Sequence, residues 1–589
     1  MDRALGVPVT FQGCAGFIHD GSGSTGVVML PAWGFEELTI RRGWAGFAER
    51  LAKAGYCCLR FDWPGAGDSI GDTKAGISLA DWLDAVKAAA NVLTERYSLE
   101  RVVLVGHGVG GLLAPHCADL VSAAAVVQMA PQSEGRTGLR ELEILGRLIG
   151  SFLGLPNAPS KDTIEIAGHS ISMALAKEIA ALRLDESTHL RSAIPLLSVL
   201  RPGIPGAADW PKRLATAGFT VTAATYTGSE GFLAYNQASV SPLECFENVC
   251  AWLVQTVPPG TREVPGQRPL AEALRGDGYS ERPVLFGHGG RLFAILCLPD
   301  TSPPRATVIM INSGDNYHIG WARMHVEFAR KLARQGIASF RIDTGGIGDA
   351  EDIDGHAYYV DGQTRDVIEA VTTVEALGLG PVLVSGRCSG GYAAIQTAVA
   401  DPRIRGLVAV NTVRLGLSPS ETFEQIMSGG TSSVANYRRR AFSTQIARDV
   451  LSGRKSLLAV SAKGLRIARR QLSARLPPFA GALSSAGRLT ASIRQQAQQL
   501  QDRGVAVFLL YAENDGGLDE LARHFGKRHA SEYDHATIRI AAGAEHNMTA
   551  RYARDEILKE LVACVEAIER LGKAALVLPP ADMANKGLT

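Results

Sequence analysis

The chain repeats itself at long range. Phe47-Ala-Glu-Arg-Leu-Ala-Lys-Ala-Gly55 returns as Phe328-Ala-Arg-Lys-Leu-Ala-Arg-Gln-Gly336, and Phe61-Asp62-Trp-Pro-Gly-Ala-Gly67-Asp68 returns as Ile342-Asp343-Thr-Gly-Gly-Ile-Gly348-Asp349. Both pairs share one offset, since 343 minus 62 is 281. A constant offset across two unlike motifs means a duplicated domain. The length permits it, because 589 residues with 46% hydrophobic content exceed what one core serves, and each half can bury a full sheet.

Each copy contains an apolar strand running into a glycine-flanked turn. In the second copy this is Val382-Leu-Val-Ser-Gly386-Arg-Cys388-Ser389-Gly390-Gly391. A central residue flanked by glycines at such a turn sits in a strained conformation, its side chain projecting clear of the sheet while a helix starts at once. Cys388 occupies that apex, and the N–H of Ser389 points where an oxyanion would form. Further on, the strand Val505–Tyr511 precedes Glu513-Asn-Asp515, and Ile538-Arg-Ile540 leads into a loop carrying His546 before the last helix. Asp515 is the candidate acid, with Glu513 and Asp519 as competitors in the same loop.

Nucleophile, acid, histidine is the chain order of α/β-hydrolases. With Asn312-Ser313-Gly314 after the strand Thr307–Ile311, and Asp343 to Asp349 after the next, the region from about Pro283 to Ile568 resembles that superfamily. Its G-x-C-S-G turn is similar to a cysteine-nucleophile branch related to dienelactone-hydrolase-like and serine-aminopeptidase-like proteins, including hydrolases found near exosortase systems. The resemblance implies a Cys388, His546, Asp515 triad with oxyanion donors from Ser389 and from Ser313 or Gly314. It implies an α/β fold of two tandem domains, each a mostly parallel, doubly wound sheet with a helical lid insertion. Asp343 and Asp349 are read as acceptors that fix a loop. His318, Arg323 and His325 follow the oxyanion loop, and Arg323 is a candidate either for a substrate carboxylate or for an ordinary ion pair.

The first copy keeps the turn and loses the chemistry. Gly106-His107-Gly108-Val109-Gly110-Gly111 places glycine at the apex; the late strand Ala193–Leu200 ends in Arg201-Pro202 without a nearby acid, and the loop Glu230–Gln237 has no histidine. Residues 1–257 therefore read as a degenerate domain with a lid at about 132–192. The breaker-rich stretch 258–269 reads as a linker. Residues 270–570 read as the catalytic domain with a lid at about 413–501, and 571–589 as a tail. For His107, beside the vacant apex, the sequence offers no partner. Trp33, Trp44 and Trp63 fall near the vacant mouth.

A formal net charge of +1 gives no global attraction to nucleic acid or membrane. The start, Met1-Asp-Arg-Ala-Leu-Gly-Val, has no basic segment and apolar run of a secretory signal, and no stretch approaches the ~18 apolar residues of a membrane span. A cytoplasmic location is the expectation. Nine cysteines, most of them in apolar runs, suggest reduced buried thiols. The second lid is locally basic: thirteen Lys or Arg against one acid, Asp449, between Tyr437 and Arg494. Such a run is a solvated helical face, or a dock for coenzyme A phosphates or an acidic acyl-carrier protein. Tyr437 is the candidate substrate contact there. Few aromatics interleave with the basic residues, which speaks against nucleic acid.

No cofactor or metal is expected. A cysteine nucleophile forms a thioester intermediate, so hydrolysis of an acyl ester or thioester ranks first, acyl transfer or cyclisation second and amide hydrolysis third. A different class stays open: a binding or scaffold protein in which both folds are relics.

Overall fold

The computed structural model describes the chain except residues 1–5, 132–133, 154–161, 184–192, 204–208, 235–238, 263–270, 302, 419–420, 428–483, 527–535 and 578–589. Tyr437 and most of the basic run lie outside the described residues.

The first sheet is built from β1 (Val7–Phe11), β2 (Cys14–His19), β3 (Thr25–Leu30), β4 (Cys57–Phe61), β5 (Arg101–His107), β6 (Ala125–Met129), β9 (Ile194–Leu200) and β10 (Phe219–Thr225). Its strand order is β1-β2-β4-β3-β5-β6-β9-β10. β1 and β2 are antiparallel, β2 meets β4 antiparallel, and from β4 onward every pair is parallel. Between β6 and β9 lie a helix over Gly135–Leu153, a two-stranded ribbon of β7 (Thr163–Ile166) and β8 (His169–Ser172), and a helix over Met173–Ala181. The sequence pattern shows the helices but not the ribbon, whose four-residue strands are too short for their alternation to stand out.

The second sheet follows the same plan: β11 (Leu274–Gly276), β12 (Tyr279–Phe286), β13 (Leu292–Pro299), β14 (Thr307–Ile311), β15 (Ala338–Asp343), β16 (Val382–Arg387), β17 (Ile404–Val410), β18 (Ala506–Ala512) and β19 (Thr537–Ala541). Its order is β11-β12-β13-β15-β14-β16-β17-β18-β19. β14, β16 and most of β17 and β18 are buried along their length, as expected of parallel strands covered on both faces. The chain runs from β14 to β15 on one side and to β16 on the other, so a switch point opens between β14 and β16 at their carboxyl ends. Ligand sites of open α/β sheets form at such points.

By contact density the residues divide into two compact units. Unit 1 comprises residues 1–300, 314–335 and 341–357; unit 2 comprises 301–313, 336–340 and 358–589. Among the described residues no helix is long and apolar enough to cross a membrane.

Candidate active site

β16 enters the elbow of unit 2, and the helix Ser389–Ala400 leaves it. At the apex Cys388 has φ 54° and ψ −117°, a left-handed backbone that side chains other than glycine rarely adopt. The flanking glycines are required by distance: a Cβ on Gly386 would stand 2.3 Å from the backbone of Gly390, and one on Gly390 would stand 2.3 Å from the carbonyl oxygen of Asn312. The register Ile311↔Gly386 sets Asn312 and Ser313 beside the elbow.

The structure brings Cys388, His546 and Asp515 together. His546 Nδ1 lies 2.6 Å from Asp515 Oδ2, and the His546 ring shares a hydrogen bond with the Cys388 thiol. Asp515 caps the helix Gly516–Phe525 and accepts from the N–H of Gly517 at 2.8 Å, which fixes the carboxylate before it meets the imidazole. Burial pushes the thiol up, but the His546 charge and hydrogen bond, with smaller help from Arg387 and Tyr359, bring its pKa below the ordinary 9.0. Burial pushes His546 down, and Asp515 and Cys388 outweigh it, raising the imidazole to about 10. The arrangement favours a thiolate beside an imidazolium.

Three supports of this set are not evident in the sequence pattern. Asn411, with φ 46°, donates Nδ2 to the His546 carbonyl at 2.8 Å and accepts the N–H of Ala512 at 2.7 Å, tying the histidine loop to the end of β18. Arg387 donates to Asn547 Oδ1 at 2.8 Å and so holds the same loop from the elbow side. Tyr359 stands with its hydroxyl 3.9 Å from Cys388 Sγ. Motif spacing finds residues on the chemistry; these reach it through long sequence separations.

The other candidates are placed as follows. Ser389 begins the elbow helix and is buried, Ser313 is 9% exposed at the end of β14, and Gly314 takes φ 56°. In unit 1, Arg323 donates to the carbonyls of Gly67 at 2.7 Å, Ser69 at 2.5 Å and Gly71 at 2.8 Å.

Asp343 accepts from the N–H groups of His318 at 2.7 Å and Asp349 at 3.0 Å, the loop-fixing role expected of it, and Asp62 accepts from Asp68 N–H at 3.0 Å in the first copy. His318, Asp343 and Asp349 come close enough to hold a metal ion. Their atoms are already committed, however. The His318 ring is clasped by Asp343 at 2.7 Å and Asp68 at 2.6 Å, while Asp349 meets Arg60 at 2.6 Å and Arg41 at 3.1 Å. That is the pattern of a buried ion-pair network, with an imidazolium donating from both nitrogens.

The first copy's elbow keeps its geometry: Gly108 has φ 54° and ψ −116°. A Cβ there would lie 2.6 Å from Glu36 Oε1, so a carboxylate already fills the place of a nucleophile. His107 does have partners, Glu36 at 2.8 Å and the Tyr226 hydroxyl at 3.1 Å, supplied by distant segments. Trp33 and Trp63 line a cleft of about 550 Å³, open solvent included, whereas Trp44 is buried against His107 and Phe47.

Comparison with known proteins bears on the fold. The family model described as serine aminopeptidase S33 matches residues 302–550, and that of the alpha/beta hydrolase family matches residues 17–253. Among solved structures, Est1E from Butyrivibrio proteoclasticus with ferulic acid bound is 16% identical, covering 43% of this chain and 99% of its own, at a TM-score of 0.32. The metagenome-derived lipolytic enzymes LipS and LipT give 17% identity, 42% and 99% coverage and a TM-score of 0.30. An alpha-beta serine hydrolase homologue from Coxiella burnetii gives 11%, 46% and 91%, and 0.27. None of the curated proteins matches the chain. Two mostly parallel sheets with matching elbows and a family match over each half make this chain a tandem pair of α/β-hydrolase domains.

Proposed function

We propose that the second domain is an acyl-ester or thioester hydrolase that works through an acyl-thioester on Cys388. The observation that carries this reading is the Asp515–His546–Cys388 relay, with its 2.6 Å acid–imidazole contact and a thiol held below its ordinary pKa. The Cys388 thiolate attacks the acyl carbon. His546 holds the proton and passes it to the leaving group, while Asp515 keeps the imidazole oriented and stabilises its charge. The oxyanion takes a hydrogen bond from the N–H of Ser389 and a second from Ser313 or Gly314, each such donor contributing about 10²–10³ in rate. Water on the thioester, activated by His546, completes hydrolysis.

That the nucleophile is sulfur favours one second reading, acyl transfer to an alcohol, amine or thiol, because a thioester keeps the acyl group activated. The basic residues of the second insertion suit a phosphate-bearing acyl carrier, coenzyme A or an acidic carrier protein. In the first domain, glycine at the apex and Glu36 in the nucleophile's place support a non-catalytic role.

Product analysis with acyl p-nitrophenyl esters and acyl thioesters of graded length tests the proposal. Free acid released by the wild type and lost in Cys388→Ala is the expected result, and acyl product formed only when an acceptor is added selects transfer. Equal turnover in Cys388→Ala overturns both.

A further inference from the structure

We propose that Tyr359 is a catalytic residue, its hydroxyl donating a hydrogen bond to the Cys388 sulfur as the thiolate departs in the step that frees the acyl group. This rests on Cys388 being the nucleophile. The phenol oxygen lies 3.9 Å from Sγ, hydrogen-bonding range for sulfur. Tyr359 is buried at 7% exposure, yet it takes φ 59°, a left-handed backbone that bulky residues avoid and that is held where the surroundings enforce it. Those surroundings are aromatic. Its ring packs on Tyr392 at 5.4 Å and Tyr358 at 6.0 Å between centroids, and Tyr358 packs on Phe423 at 5.5 Å. The stack fixes the ring while the hydroxyl faces the thiol.

Burial, then the neighbouring Cys388 charge, keep the phenol protonated, so against a thiolate it can only donate. In deacylation an acceptor O–H gives its proton to His546 and its oxygen bonds to the acyl carbon. The C–S bond then breaks, and its electron pair passes to sulfur. A donor already in place lowers the cost of that charge without solvent rearrangement. The same hydrogen bond steadies the resting thiolate.

Tyr359→Phe removes the hydroxyl and keeps the stack. In the full-length protein, single-turnover reaction with a short-chain p-nitrophenyl ester, followed by intact mass, reads the decay of the acyl enzyme. Iodoacetamide alkylation reads the pH midpoint of Cys388. The expected result is acyl-enzyme decay slowed about tenfold or more, as for loss of a hydrogen bond to a charged group, with the alkylation midpoint moved up. Tyr392→Phe, which alters the same stack away from the sulfur, is expected to behave as wild type. Unchanged decay and midpoint in Tyr359→Phe, or equal slowing in Tyr392→Phe, overturns the proposal. A wild type that forms no adduct on Cys388 and turns over equally as Cys388→Ala fails earlier, at the nucleophile assignment, and removes the proposal with it.

Discussion

Cys388 differs from its fellow cysteines in charge state more than in location. None of the nine forms a disulfide, and burial is the largest influence pushing the thiols of Cys14, Cys57, Cys117, Cys245 and Cys564 up to about 12, whereas Cys388 is drawn below 9.0 by His546. Iodoacetamide near neutral pH is therefore expected to label Cys388 first. The midpoint of its alkylation against pH should fall below the ordinary 9.0. In His546→Ala the thiol stays buried and the cation is gone, so the midpoint should rise; peptide mapping across a pH series checks both. Asp515→Asn keeps the shape but removes the charge that fixes the tautomer, and turnover should fall by about 10³–10⁴. The three triad candidates were legible in the sequence because chain order and elbow glycines constrain them. Tyr359, Arg387 and Asn411 were not, since their contacts come from packing between segments that no local pattern links.

Among the elements, the two elbows share backbone angles to within a degree in φ and ψ, so they differ in the apex side chain and not in the shape of the turn. Restoring only the side chain should fail. Gly108→Cys places its Cβ against Glu36, and in a Cys388→Ala background it is expected to show no acyl adduct by intact mass. The turns after β14 and β15 carry a different load. His318 is pushed down by burial but raised by Asp343 and then Asp68, to about 10, and Asp68 is held well below its ordinary value by His318 and Arg341 despite burial. A raised histidine contributes its stability in full below about pH 6.5, and that contribution is lost as pH climbs through about 10. His318→Ala leaves two buried carboxylates without their shared cation and should cost about 3–5 kcal/mol by denaturant unfolding at neutral pH. The sequence placed Asp343 in a loop-fixing role, but not the clasped His318, whose second carboxylate lies 250 positions away.

For the whole molecule, the constant offset of the repeats made the duplication legible, and the strand order of the two sheets bears it out. What the offset does not carry is the grouping of residues 314–335 and 341–357 with the first 300 in one compact unit. Long-range ion pairs inside that unit account for it: His318 with Asp68 at 2.6 Å, Arg341 with Asp68 at 2.7 Å, Arg60 with Asp349 at 2.6 Å and Arg41 with Asp349 at 3.1 Å. A fragment beginning near Arg268 strips His318, Arg341 and Asp349 of partners, each loss costing about 3–5 kcal/mol. Thermal unfolding of that fragment should show no cooperative transition near that of the full chain; an unchanged transition would mean the network is dispensable. Acylation of Cys388 is read by intact-protein mass spectrometry after incubation with short, medium and long acyl thioesters, comparing wild type with Cys388→Ala. One acyl mass is expected on the wild type, mapped to the Cys388 peptide and missing from the variant. An adduct that persists in Cys388→Ala, or turnover with no dependence on that residue, would contradict it.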